Sequence, residues 1–387
     1  MKWFMALSLA LLGLPLSVAH EVIIDFDGNG TAMAYGGGVM KAFYERMDPK
    51  AIGETYFVGS SSGSIMAAYF SCRGLTQSSV DGMISTAARF PKDYMDEETG
   101  LKSAKLFLGI PPEVTLERIQ PLLNEMTENG ACVPKFPVLI PAANLDVIEG
   151  RTKKPFAGIR GRKFDQGSYT LSNKDGTVRG KVCTYFINKE MAAILEAVPA
   201  AERLCDTRLI RNGVELKEAV ERSISEPTYY LPLEEKDMSQ LQSVYPLPKR
   251  RFYAGGFIMN TAVQDLKRAR PEAYAVATGR VHYQRIQNRI IQNWFSFPMN
   301  KTLFDQRWFV DIQSTPNKQD QARLYETKTT PTEQVALGYA QAMKCYRGDA
   351  NTCLPKVFTV PKYSKSGAGK DMKALRHRGI KVLLKAE

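Results

Sequence analysis

Apolar and polar positions along this chain follow two periods, and the change from one to the other marks its elements. "EVIIDF" (Glu21–Phe26) is an apolar, β-branched run that stops at the turn residues "DGNG" (Asp27–Gly30), which predicts a buried strand feeding a tight loop. Val39, Met40 and Phe43 then recur at helical spacing and predict a helix over about 32–46. "ETYFVG" (Glu54–Gly59) predicts a second strand, and from Ser62 the run "SGSIMAAYFS" sets Ile65, Ala68 and Tyr69 on one helical face. Strand, loop, helix, strand, turn, helix is the opening of a parallel α/β sheet. The right-handed crossover rule puts both loops at the carboxyl edge of that sheet.

Farther on, "FPVLIPAANLD" (Phe136–Asp146) predicts another strand. The alternation from Gly161 to Glu190, centred on Asp175-Gly176, predicts a hairpin. "ELKEAVERSIS" (Glu215–Ser225) predicts an amphipathic helix that halts before Pro227, and "RRFYAGGFIMN" (Arg250–Asn260) a strand entering a glycine turn. Beyond Asp265 the pattern turns mostly helical, ending in a helix over about 331–343. The expected division is therefore an α/β unit over 20–265 and a largely helical extension over 266–387 with a basic tail.

Composition adds a compartment to this picture. The chain has 387 residues, 44% hydrophobic and 24% charged, which is globular composition. Its start, one basic residue (Lys2), an apolar run from Trp3 to Leu16 and the small residues Ser17-Val18-Ala19, has the layout of a signal peptide over 1–19. Export is expected, to a periplasmic or extracellular space where six cysteines can pair. "CYRGDANTC" (Cys345–Cys353) reads as a small stapled loop, because Gly348, Asp349 and Asn351 are turn residues. There is no CxxC, and the three histidines lie far from clustered cysteines, so no metal site is expected. A net charge of +12 favours anionic surfaces, and for an exported protein these are phospholipid headgroups. The basic residues of Lys362–Glu387 read as a solvated tail. Aromatics interleaved with basic residues in Val281–Phe295 sit at helical spacing, as a core face with a solvated back would, so nucleic acid is not an expected partner.

The densest chemistry is "GSSSG" (Gly59–Gly63), which fits G-x-S-x-G with Ser61 at the centre. A nucleophile on a sharp strand-to-helix turn sits in a strained backbone, and Gly59 and Gly63, two residues to either side, relieve the crowding. The helix that follows points its free N–H groups at developing negative charge.

One helix upstream lies "DFDGNGTAMAYGGGVMKAFYERM" (Asp25–Met47). A glycine loop, helix, strand and serine elbow in immediate succession resemble the patatin-like phospholipases. Their glycine loop reads D-G-G-G-x-[RK]-G and is followed by a helix of the type G-V-L-K-A-L. Here "DGNG" stands at the loop and "GVMKAF" (Gly38–Phe43) at the helix. "IPAANLDVIEG" is similar to the family's central strand, "AVERSISEPTYYLPLE" to its A-S-x-A-x-P-x-x-F-x-P stretch, and "YAGGFIMNTAV" to its D-G-G-x-x-x-N-x-P-V turn. The resemblance runs over about 22–265. It implies a three-layer α/β/α sandwich with a mostly parallel sheet, a serine that attacks a lipid acyl ester, an aspartate as its direct base, and no cofactor. It also implies an oxyanion hole from the loop backbone at Gly28, Asn29 and Gly30.

Two departures stand out. The aspartate of the D-G-G turn falls at Ala254, which has no lone pair to accept the Ser61 proton. In the glycine loop Asn29 replaces the middle glycine, Ala32 takes the basic position, and Met33 stands where a glycine is usual, a bulky residue able to block close packing or the mouth of the site. Three readings accommodate the alanine: a non-catalytic relative that keeps the lipid-binding cleft, a hydrolase whose base is Asp25, Asp27 or Asp265, and a substitution introduced to trap the enzyme. Two readings from other classes are weaker. "IIDFDGNGT" is also similar to the D-x-D-G-T loop of haloacid-dehalogenase-type phosphatases, with Asp25 as nucleophile, but the acidic pair needed for magnesium is missing. A dinucleotide site lacks the G-x-G-x-x-G spacing.

Overall fold

The computed structural model describes residues 19–26, 33–89, 120–144, 168–173, 176–181, 183–224, 252–253, 261–278, 309–311 and 330–347. Strand β1 (His20–Phe26) is buried from Val22 to Phe26 on both faces, so a run that is apolar apart from Asp25 serves where alternation would not. Helix α1 (Met33–Arg46) leads to β2 (Ile52–Gly59), and β1 and β2 pair in parallel with Phe26 opposite Gly59. The loop after β1 and the turn after β2 thus leave the sheet side by side. Helix α2 (Ser62–Arg73) follows, and α3 (Gln77–Ala88) begins at a capping box of Thr76 and Ser79.

Next come α4 (Gln120–Met126), a 3-10 turn at Glu128–Gly130 and β3 (Val138–Asn144), which adds in parallel to β2. Strands β4 (Ser168–Asn173) and β5 (Gly176–Lys181) form the hairpin the alternation predicts, with Asn173 opposite Gly176. Then follow β6 (Cys183–Ile187), antiparallel to β3, helix α5 (Lys189–Leu195), β7 (Asp206–Leu209) and α6 (Gly213–Ile224). Last come β8 (Phe252–Tyr253), α7 (Thr261–Ala269), β9 (Tyr274–Ala277), β10 (Phe309–Asp311) and α8 (Pro331–Tyr346). The sheet runs β10-β9-β1-β2-β3-β6-β7, with β8 also paired to β3. The first five of these are mutually parallel, which makes the fold α/β with a mostly parallel mixed sheet.

Helices cover both faces. Val22, Ile24, Phe26, Phe57, Val138 and Ile140 form one core with α1, α2, α3, α4, α6 and α8. On the other face α5 and α7 pack against β1, β3 and β6. Strands β9 and β10 lie C-terminal to residue 265, yet they extend the same sheet on the β1 side, and α8 packs along α1. These strands have four and three residues, too few to show a period of two against a helical background.

The triple glycine Gly36-Gly37-Gly38 lies in the middle of α1, where glycine lowers helix stability. Packing explains it. A Cβ on Gly38 would stand 2.1 Å from the Val335 carbonyl oxygen of α8, and one on Gly338 would stand 2.1 Å from the Tyr35 oxygen of α1. The two helices therefore meet backbone to backbone, and buried Tyr35 reaches across to donate to Gln341 Oε1 at 2.8 Å. Gly36 and Gly37 face Met66 of α2 and Ile84 of α3.

Two disulfides lock the ends of elements. Cys72–Cys132 ties α2 to the segment before β3 and spans 60 residues; Cys183–Cys205 ties β6 to β7 and spans 22. On the chain-entropy model they contribute about 4 and about 3 kcal/mol. Cys345 is disulfide-bonded too. Its expected partner Cys353 lies outside the described residues, as do residues 1–18 of the signal peptide expected over 1–19 and the basic tail. No helix among the described residues is long and apolar enough to cross a membrane.

Alanine at Gly338 would raise intrinsic helix propensity by about 1 kcal/mol. We expect Gly338→Ala to destabilise the chain instead, by about 1–3 kcal/mol or more, because backbone atoms block the added methyl. Denaturant unfolding with the disulfides intact measures it, and a gain in stability would refute the close helix contact.

Candidate active site at the serine elbow

Ser61 sits between β2 and α2 with φ 52 and ψ −130, one of three non-glycine residues with positive φ among the described residues. Such a backbone costs on the order of 1–3 kcal/mol and persists only where its surroundings over-determine it. The glycine spacing is part of that constraint. A Cβ on Gly59 would lie 2.3 Å from the Gly63 carbonyl oxygen and 2.7 Å from Ala67 Cβ, so the end of β2 is pressed directly onto the first turns of α2. The chain must reverse within Ser60 and Ser61, and the second of these takes the strain.

Hydrogen bonds hold every side of the turn. Ser60 N–H donates to the Phe26 carbonyl at 3.0 Å, tying the elbow to the end of β1. The Ser61 carbonyl accepts from Ser64 N–H at 2.8 Å and from Ser64 Oγ at 2.6 Å. Ser61 N–H donates to Ser223 Oγ at 3.0 Å, and that hydroxyl donates onward to the Pro141 carbonyl of β3 at 2.8 Å. Beneath the elbow, the rings of Phe26, Phe57 and Phe70 stack with centroids 5.5–6.4 Å apart. Ser61 occupies the N-cap position of α2, where a serine side chain ordinarily bonds the free amides, yet its hydroxyl makes no capping bond. It is also partly exposed, whereas Ser60, Ser62 and Ser64 are buried.

Of the acids considered as bases, Asp25 and Asp265 lie among the described residues. Asp265 is 0% exposed, on the sheet face away from α2. It accepts from Tyr185 Oη at 3.0 Å, Leu204 N–H at 2.7 Å and Arg268 Nη1 at 3.2 Å. Burial pushes its carboxyl above the usual aspartate range, against the downward pull of those three donors. Its bonds tie α7 to β6 and to the segment before β7. Asp25 is buried inside β1, opposite Val58 in the register, rather than on the loop. Asp27 and the oxyanion candidates Gly28, Asn29 and Gly30 lie outside the described residues. No group of three or more His, Cys, Asp or Glu suited to a metal occurs among the described residues.

Met33 does not obstruct the helix start. It is 1% exposed and belongs to the core cluster under α1. Ala254 lies outside the described residues, but its chain neighbour Tyr253 pairs with Ala143 of β3. That is two residues, about 7 Å, along β3 from Pro141, the strand anchor of the elbow. Ser61, through Ser223, and the residue before Ala254 are therefore both tied to β3, at Pro141 and at Ala143. Ser223, central to this arrangement, stands at the serine of the A-S-x-A-x-P pattern, a signal of place and not of partner. It is one serine of "AVERSIS", and only the fold shows that it meets the elbow.

No protein-family model matches the chain, and a search of curated proteins finds no match.

Asp265 gives a pH signature with a definite sign. Its folded carboxyl titrates above its unfolded value, so between the two the folded chain holds a proton that the unfolded chain has released. Stability from this residue therefore falls as pH rises through that window and levels off above it. Asp265→Asn should remove this slope in denaturant titrations compared with the parent across the acidic range; a parallel pair of profiles would show that its three donors cancel the effect of burial.

Proposed function

We propose that this chain carries a patatin-like lipid acyl hydrolase site with Ser61 as its nucleophile. The observation that carries the reading is the backbone of Ser61, a serine held at φ 52 on a strand-to-helix turn with its hydroxyl unused by the helix cap. In this reading Ser61 Oγ attacks the carbonyl carbon of a lipid or phospholipid ester. The oxyanion is met by backbone amides of the loop at Gly28, Asn29 and Gly30 and by the first turn of α2. Collapse of the tetrahedral intermediate releases the alcohol, and water then hydrolyses the acyl-serine. The chain would have the family's three-layer sandwich over 20–265, with 266–387 as an extension. It would act after export, on a substrate presented by an anionic lipid surface that its net charge of +12 favours. The disulfides are in keeping with that compartment.

Alanine at 254 sets the rate. Without a positioned base, deprotonation of Ser61 loses about 10²- to 10⁴-fold. This observation also favours a second reading, a lipid-binding or interaction protein on the same scaffold that captures acyl chains without turning them over.

Labelling with a serine-directed fluorophosphonate separates the two readings. The parent is expected to label slowly and Ser61→Ala not at all, while Ala254→Asp should label faster and gain ester hydrolysis. Labelling of the parent that survives Ser61→Ala would remove the nucleophile assignment. Parent and Ala254→Asp both inert, yet retaining lipid vesicles in a sedimentation assay, would establish the binding reading.

A further inference from the structure

We propose that Ser223 is a positioning residue for the elbow: its hydroxyl ties the Ser61 amide to β3 and so holds the nucleophile in its strained backbone. The proposal rests on the reading of Ser61 as the nucleophile.

Ser223 is 0% exposed and lies in the last turn of α6, a helix that packs against α2, β3 and β8. A serine hydroxyl has one proton to donate. Here that proton goes to the Pro141 carbonyl at 2.8 Å, and a lone pair receives Ser61 N–H at 3.0 Å. The ladder between β2 and β3 ends at Val58 opposite Leu139, two residues before Pro141. Beyond that point a side-chain oxygen from a third element does what backbone pairing no longer can. The bridge acts on the strained residue itself, since the amide it fixes belongs to the elbow residue whose φ is positive.

Two chemical consequences follow. Ser61 N–H is occupied, so it is not a donor to a developing oxyanion, and those donors must come from other amides. The Ser223 proton is already directed to Pro141, so this hydroxyl orients the nucleophile without serving as its base. Removing it takes the acceptor from the part-buried Ser61 N–H and the hydroxyl donor from the buried Pro141 carbonyl, and frees the turn to relax.

Residue-resolved amide hydrogen exchange on the full chain, with disulfides intact, reads the tie directly. The Ser61 amide is expected to exchange at least about tenfold more slowly than an unprotected amide, although it belongs to no helix or sheet ladder. Free exchange at Ser61 in the unaltered chain overturns the proposal whether or not any variant folds. Ser223→Ala should bring Ser61 to the unprotected rate and slow fluorophosphonate labelling roughly tenfold to a hundredfold, in the parent and in Ala254→Asp alike. Val220→Ala, a buried truncation one turn earlier on α6, should lower the unfolding midpoint and leave both readouts at their parental values. If it matches Ser223→Ala in both, Ser223 acts only through helix packing and the positioning role falls. If neither background labels, the acyl-hydrolase reading fails, and exchange at Ser61 alone decides whether Ser223 holds the elbow.

Discussion

The contact between the end of β2 and the first turns of α2 is the constraint on which the site depends. With no Cβ at Gly59, the strand comes to rest against the Gly63 carbonyl, closer than any side chain would permit. The connection between the two elements is then so short that Ser61 must take a positive φ. Strain of this kind is stable only in a rigid frame. Three ties supply it: the end of β1 through Ser60, the first turn of α2 through Ser64, and α6 with β3 through Ser223. Phenylalanines from β1, β2 and α2 stack on one another in the core that joins these three elements.

The same logic extends to the flank of the glycine loop. Residues 27–32 are bounded by β1 on one side and α1 on the other, and both are fixed from outside the α/β core of the N-terminal half. Strand β9 pairs with β1, and α8 meets α1 through Gly38 and Gly338 at backbone distance. The chain beyond residue 265 thus contributes directly to the framework that positions the candidate site. Sites held by packed helices and strands keep their geometry better than sites carried by loops alone.

Much of the framework was legible in sequence. Strands β1, β2 and β3, helices α1, α2, α6 and α8, and the β4–β5 hairpin announce themselves by period and by their turn residues, and each lies where those signals end. Strands β7, β9 and β10 do not, because three or four residues cannot display a period and their pairing comes from neighbours distant in sequence. Met33 looked like an obstacle because a large residue replaces a glycine at a helix start; in the fold it points into the core, where size is an advantage. Asp265 looked available as a base because it is close along the chain to the glycine turn. Burial and three donors give it a structural task on the other face of the sheet.

Local sequence determined where strand gives way to helix, and it determined that a serine flanked by glycines occupies that junction. Period and turn chemistry are short-range properties, readable from a window of residues. Tertiary structure alone decided that Ser223 rather than any nearer serine holds the Ser61 amide, and that Gly38 admits another helix. Each of these follows from the approach of segments far apart in sequence, where a single Cβ or hydroxyl fits or does not, and no window along the chain contains both partners.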